Sequence, residues 1–304
     1  MVADAETIQR VIATYGQAAE ANRNTPARNG SVVHLTESAG EDVLITADLH
    51  GHRLNFERLR KIADLPSRLG RHWIAQEVCH GGPTYPDGGC MSHLMLEDVA
   101  LLKTQFPERF HFLLGNHELA ELTDHLITKS GQMLNLHFLT GLQAMYGDMA
   151  EAVRDAAMAF IRTCPLALRL EPSVFVCHGS PERVDEVGWD PSVLAREPTA
   201  EDIAVGGAAF RLVWGRDFRQ ENAEALAECV GAEVLIHGHE PCVQGCSIPN
   251  SRQVILDCCG KNACYVILPI GRHLTHAEVV EQIRHVYSGQ CTSSSDDGAP
   301  VTVN

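Results

Sequence analysis

Residues 43–51 read Val-Leu-Ile-Thr-Ala-Asp-Leu-His-Gly. An apolar run of strand length (43–47) ends in Asp48, His50 and Gly51. The same pattern returns down the chain. Residues 73–75 precede Gln76 and Glu77, and residues 110–114 precede Gly115-Asn116-His117-Glu118. Residues 174–177 precede His178-Gly179, and residues 234–236 precede His237-Gly238-His239-Glu240. Between the first three runs, Phe56, Leu59, Ile62 and Ala63, and then Leu94, Met95, Val99 and Leu102, recur at helical spacing. Strand–helix alternation of this kind predicts βαβ units and an α/β fold. Two late runs, 254–256 and 265–268, lie closer together and predict a more antiparallel second half. In an open α/β sheet, ligands bind at the carboxyl ends of the strands. Five strands that end in Asp, Glu, Asn or His therefore mark one edge of the fold as its site.

The rest of the chain narrows the partners. Its 304 residues carry 24 Lys+Arg against 39 Asp+Glu, a net charge of −15. That balance argues against nucleic acid, whose phosphates need a basic stripe, and against an anionic membrane surface. The longest apolar run, 264–270, falls far short of the ~18 residues that span a bilayer. The N-terminus places Asp4 and Glu6 where a secretory leader would carry basic residues, so a cytoplasmic location is expected. Several of the 11 cysteines fall inside expected strands (Cys79, Cys177) or side by side (Cys258, Cys259), which suits reduced buried thiols better than a disulfide framework. Cys242 and Cys246 lack a matching second pair, so no structural zinc site is expected there. Residues 5–21 read as an amphipathic helix, 22–31 as a loop and 288–304 as a disordered tail.

The strand-end residues suit metal chemistry. Side chains alternate along a strand, so Asp48 and His50 are expected to point the same way and hold one ion. A carboxylate between two ions can bridge them, Asn116 offers a neutral oxygen, and His178 and His239 offer nitrogens. Mixed nitrogen and oxygen donors suit Mn, Fe or Zn better than Ca.

The ordered set ADLHG (47–51), QEVCHGG (76–82), GNHE (115–118), HGS (178–180) and HGHE (237–240) resembles the calcineurin-like metallophosphoesterases. Within them it looks like the phosphoprotein phosphatase (serine/threonine phosphatase) branch, whose pattern runs G-D-x-H-G, G-D-x-x-D-R-G, G-N-H-E, H-G-G and R-G-H-E. The segment from Arg211 to Asp217, with Trp214, is similar to the tryptophan-containing stretch before the last histidine of that branch. The resemblance implies a four-layer α/β/β/α sandwich of two mixed sheets flanked by helices. The phosphoesterase domain would cover 32–287, preceded by an N-terminal helix and loop over 1–31. It implies two metal ions, the first on Asp48 and His50, the second on Asn116, His178 and His239, with Glu77 as the bridge. It also implies attack on a phosphate monoester by hydroxide held between the ions, with His117 protonating the leaving oxygen.

The second block departs from the family pattern. Glu77 is one methylene longer than the family's aspartate, and a register shifted by one would place Gln76 there instead. A neutral amide bridges two cations poorly, so Glu77 is the expected bridge. His80 falls where the family has the aspartate that orients the catalytic histidine, and Gly81 where it has a phosphate-gripping arginine. Arg216, with His80 and His237 behind it, is the expected substitute for that arginine. The expected partner is a phosphorylated protein or small molecule. A dinucleotide polyphosphate hydrolase and a non-catalytic metal-binding protein are the rival readings.

Overall fold

The computed structural model of the chain describes residues 2–129 and 131–287, so the tail expected over 288–304 lies outside the described residues. Among the described residues, fourteen strands are numbered in chain order. They are β1 (Arg28–Asn29), β2 (Val32–Leu35), β3 (Asp42–Ile45), β4 (Arg71–Gln76), β5 (Phe110–Leu113), β6 (Thr128–Lys129) and β7 (Gln132–Met133). The later ones are β8 (Ala167–Leu170), β9 (Val174–Cys177), β10 (Val234–His237), β11 (Cys246–Ser247), β12 (Gln253–Leu256), β13 (Cys264–Pro269) and β14 (Ile283–His285). One mixed sheet runs β1-β2-β8-β9-β10-β12-β11, the other β14-β13-β3-β4-β5, and β6 and β7 form a separate hairpin.

Alternation along each strand builds the sandwich. Val174 and Val176 of β9, and Val234 and Ile236 of β10, share one core with Val43 and Ile45 of β3, Ile74 of β4 and Leu113 of β5. This is the layer between the sheets. The alternate residues Leu44, Trp73, Ala75, Phe110 and Phe112 face the opposite way and join the helical core, as do Phe175, Cys177 and Leu235. The layers are therefore helix, sheet, sheet and helix, as the resemblance implied. Trp73 shows how the outer layer closes: its ring lies 5.1 Å from Phe110 and 5.8 Å from Phe56, while its N–H donates to Thr46 Oγ1 at 3.1 Å. Burying a side chain of this size contributes about 1.5–3 kcal/mol.

Helices α1 (Ala5–Arg23), α2 (Arg53–Ala63), α3 (Ser92–Gln105), α4 (Asn116–Thr123), α5 (Leu134–Tyr146) and α6 (Ala150–Ile161) belong to the outer layer beside the second sheet. Asp4 caps α1 by accepting the N–H of Thr7 at 2.8 Å, and Ile8, Val11, Tyr15, Ala18 and Ala19 bury its inner face against α3 and α6. The helix extends to Arg23, two residues past its expected end, and β1 falls within the expected loop.

Strands β3, β4 and β5 are parallel, and so are β9, β10 and β12. The expected antiparallel second half is thus confined to edges and partners: β8 on β9, β11 on β12, and β13 on β3 and β14. The physical reason lies in residues 178–233, which fold into helices long enough to return the chain for a parallel crossover. The carboxyl ends of these six strands meet at one edge. Asp48 and Asp257, beyond β3 and β12, form a parallel bridge there, and the N–H of Cys258 donates to the Asp48 carbonyl at 3.0 Å. The two sheets are stitched together at the site.

Candidate metal centre

Every expected ligand sits just beyond the end of a parallel strand. Asp48 follows β3, Glu77 follows β4, Asn116 opens α4 just after β5, His178 follows β9 and His239 follows β10. His50, Glu77 and His239 all hold positive φ, at 42°, 38° and 67°. Such backbone costs a non-glycine residue of order 1 kcal/mol and concentrates at functional sites. It also corrects the alternation argument. His50 lies beyond the end of β3, so a turn rather than strand pleating aims it into the site.

Glu77 is the common member of two groups. Its carboxylate, His50 and His117 offer donor atoms within 4.8 Å of one another, and so do Glu77, Asp48 and His178. Glu77 Oε1 lies 3.0 Å from His50 Nε2, and Oε2 lies 2.8 Å from His178 Nε2. Asp48 thus stands with His178 rather than with His50. Its Oδ1 accepts the backbone N–H of His239 at 3.0 Å, which turns the carboxylate toward that side. Gln76 does not enter the middle. Its amide oxygen lies 3.1 Å from His178 Nδ1 and orients that ring from behind.

The outer hydrogen bonds fix which ring nitrogens face inward. His178 Nδ1 donates to Gln76, His239 Nε2 donates to the Trp214 carbonyl at 3.0 Å, and His50 Nδ1 donates to the Cys79 carbonyl at 3.1 Å. The opposite nitrogens then present lone pairs to oxygen. His178 Nε2 lies 2.9 Å, and His239 Nδ1 2.8 Å, from Asn116 Oδ1. Lone pairs converging on one another need a cation between them, and this mixed donor set suits Mn, Fe or Zn.

The buried charges make the same demand. Asp48, Glu77 and Glu118 are all buried. Glu118 Oε1 accepts the N–H groups of Val78 and Cys79, both at 2.9 Å, which pins the turn carrying Glu77. Its Oε2 has no hydrogen-bond partner among the described residues. A Cβ placed on Gly115 would stand 2.6 Å from that oxygen and 2.8 Å from Glu77 Oε2, so only glycine lets the two carboxylates sit this close. Burial, and then Glu77, push Asp48 up to about 6. Burial opposes charge on His50, yet Glu77 and Asp48 outweigh it and raise the ring to about 10. Burial, and again Glu77, raise Glu118. Each shift answers the same shortage of positive charge, so the residues fit metal ions at this place.

The family model for calcineurin-like phosphoesterases matches residues 42–243, two thirds of the chain and every ligand position above. The chain belongs to the calcineurin-like phosphoesterases. A probable serine/threonine-protein phosphatase of Encephalitozoon cuniculi is 29% identical over 164 residues, which is 52% of this chain and 31% of that protein. The chain therefore spans about a third of that relative's length. A Saccharomyces cerevisiae protein serine/threonine phosphatase with similarity to human phosphatase PP5 superposes with a TM-score of 0.69 at 12% identity, over 94% of this chain and 91% of that one. A cold-active protein tyrosine phosphatase gives 0.51 at 13% identity, over 82% and 78%. These two structures speak for the fold.

Against the pattern of the calcineurin-like phosphoesterases, the divergent second block now has a geometry. His117 points Nε2 toward Glu77 Oε1, 4.0 Å away, and its N–H donates to Glu77 Oε2 at 3.3 Å. His80, expected to face phosphate, does not. It is buried behind His117, with Nδ1 2.8 Å from His117 Nδ1 and Nε2 2.8 Å from Glu121 Oε1. His237 is also corrected. It is fully buried, its Nδ1 faces Cys177 and its Nε2 lies 3.2 Å from the Gln253 amide. Burial drives it down to about 4, so it stays neutral in the core. Arg216 does reach the rim. It is half exposed, donates to the His239 carbonyl at 3.0 Å and pairs with Glu240 at 3.0 Å. Sequence reasoning missed Glu121. It lies four residues after His117 on α4, hence on the same helical face, and that spacing was its signal.

Proposed function

We propose that this chain hydrolyses phosphate monoesters with two metal ions held by Asp48, His50, Glu77, Asn116, His178 and His239. The observation that carries the reading is the Glu77 carboxylate, whose two oxygens turn toward separate histidines on opposite sides. Ions at this place would supply charge to the phosphate oxygens and acidify a water, as paired metals do in phosphatases. The chain's own residues do the rest. Glu77 and Asp48 balance the ions, and Gln76, Trp214 and Cys79 hold the three imidazoles in the tautomer that faces inward. His117 Nε2 delivers a proton to the leaving oxygen, a step worth about 10²–10⁴-fold. Burial drives His117 down to about 3, with His50 and His80 adding to it against the pull of Glu77. A phosphate dianion entering beside the ring favours its protonated form. Arg216 at the rim is the cation for the phosphate oxygens, in place of the family's arginine.

Phosphoserine and phosphothreonine proteins are the substrate class this reading favours. Two of the relatives above carry serine/threonine phosphatase in their names. The test is metal analysis of the purified protein together with turnover of p-nitrophenyl phosphate and a phosphoseryl peptide across added Mn²⁺. Two ions per chain and turnover of both substrates are expected. Protein loaded with two ions that hydrolyses neither substrate would leave a binding protein instead.

A further inference from the structure

The residue that should orient His117 is missing from its usual place, and a two-residue relay stands there instead. His80 occupies that position, its ring nitrogen Nδ1 2.8 Å from His117 Nδ1. Two imidazole nitrogens at this distance need one donor and one acceptor, and alone they leave the choice open. Glu121 removes the freedom. Its Oε1 lies 2.8 Å from His80 Nε2, and a carboxylate only accepts, so His80 carries its proton on Nε2. His80 Nδ1 is then the acceptor and His117 Nδ1 the donor. His117 is thereby held with Nε2 as the nitrogen that exchanges protons on the substrate side.

The relay is rigid. Both side chains are almost fully buried, at 0% and 2% exposed. The His80 ring packs edge-on against Phe138 at 5.8 Å, and its backbone N–H donates to Ser92 Oγ at 3.0 Å. A positive φ of 62° directs the side chain inward. Arg154 on α6 stands 3.8 Å from the other Glu121 oxygen and donates to the Glu121 carbonyl at 3.1 Å, complementing the buried carboxylate. His117 and Glu121 sit one turn apart on α4, and His80 wedges between them from the β4 turn.

We infer that Glu121, acting through His80, is the positioning carboxylate for His117, moved one side chain deeper than in the family pattern. The inference rests on the phosphoesterase reading above. Glu121→Gln should lower kcat on an alkyl phosphate, whose leaving group needs the proton, by about 30-fold or more. KM and metal content should hold, and kcat on p-nitrophenyl phosphate should fall no more than about threefold. His80→Asp alone sets two carboxylates face to face and should be equally poor. The double variant His80→Asp/Glu121→Gln places a carboxylate directly behind His117 and should recover most of the alkyl phosphate rate. Nitrogen NMR of labelled histidine supplies a readout that needs no turnover: His117 should show its proton on Nδ1 in the unaltered chain and a tautomer mixture in Glu121→Gln. Equal losses on both esters, or no recovery in the double variant, would overturn the inference while leaving the hydrolase reading intact. An unaltered chain that is fully metallated yet inactive on both esters would sink the hydrolase reading, and the NMR result would then decide the relay on its own.

Discussion

Glu77 Oε2 lies 2.8 Å from His178 Nε2, although Glu77 follows β4 of one sheet and His178 follows β9 of the other. The contact crosses the sandwich. It shows that the site belongs to neither sheet alone but to the edge where the parallel strands of both end. Two carboxylates and three imidazoles can be buried at that edge because each sits just beyond a strand end, where backbone N–H and carbonyl groups are free to hold it.

Glu77→Gln should therefore cost the centre its metal. The amide keeps the shape and loses the charge that offsets two cations. Metal analysis after gel filtration should fall from about two ions per chain to one or fewer, and turnover should drop at least ~100-fold. The fold should persist by circular dichroism, since the change removes buried negative charge. A variant that keeps both ions would remove Glu77 from the bridge.

His117→Ala should separate chemistry from binding. Metal content should stay at the unaltered level, because the inward nitrogens of His50, His178 and His239 do not depend on His117. Turnover of an alkyl phosphate should fall about 10²–10⁴-fold, and that of p-nitrophenyl phosphate far less, because its leaving group departs without a proton. Unchanged turnover on both esters would take the acid role from His117.

Much of this was legible because period-2 patterning and strand-end chemistry coincide. The expected strands over 43–47, 73–75, 110–114, 174–177, 234–236, 254–256 and 265–268 overlap β3, β4, β5, β9, β10, β12 and β13 within two residues at each end. What sequence hid had physical causes. Strands β2 and β8 pair with each other in parallel, but His34 and Arg169 interrupt their short apolar runs. Residues 134–161 form α5 and α6, but their mixed apolar and small residues mark no single face. In sequence, His80 and His237 are indistinguishable from histidines that face substrate. Only the hydrogen bonds to Glu121 and Gln253 show that both turn inward.

Arg216→Ala tests the rim. The guanidinium is tied to the His239 carbonyl and Glu240 yet remains about half exposed, which suits a group that meets an arriving phosphate. A charge-assisted hydrogen bond lost from the substrate complex is worth about 1.5–3 kcal/mol. KM for p-nitrophenyl phosphate should rise about tenfold or more, with kcat within about threefold. A KM that does not move would leave Arg216 as a partner of Glu240 and nothing else.

Gly238→Ala tests the close approach of the last motif to the first. An added Cβ would collide with Asp48 Oδ1 and lie 3.1 Å from the Ala47 Cβ, in a place without free volume. Overpacking of this kind costs about 1–3 kcal/mol, so a lowered melting temperature is expected. Because the collision falls on a candidate ligand, metal affinity should weaken beyond what the stability change accounts for, as read by competition with a chelator. Full metal affinity in a folded variant would show that Asp48 can shift without consequence.

Lys103 gives the fold a pH dependence far from the site. Its ammonium is buried on α3 and donates to Thr25 Oγ1 at 2.8 Å, the Pro107 carbonyl at 2.6 Å and the Phe110 carbonyl at 3.2 Å. Burial, with Arg28 adding to it against Cys164 and Glu108, lowers it from 10.5 to about 7. Below about 7 both folded and unfolded chains hold the proton, and the full cost of burying the charge is present. Between about 7 and 10.5 the unfolded chain binds more protons than the folded one, so stability rises with pH there, at up to ~1.4 kcal/mol per unit. Lys103→Met should remove that slope whatever it does to absolute stability, since the three acceptors lose their donor at every pH. Urea unfolding at pH 6.5, 7.5 and 8.5, compared between the two proteins, reads the difference, because the ionisation of unfolded cysteines near pH 8.5 is common to both. Parallel curves would mean that the three acceptors keep Lys103 protonated throughout, and that its hydrogen bonds outweigh its burial.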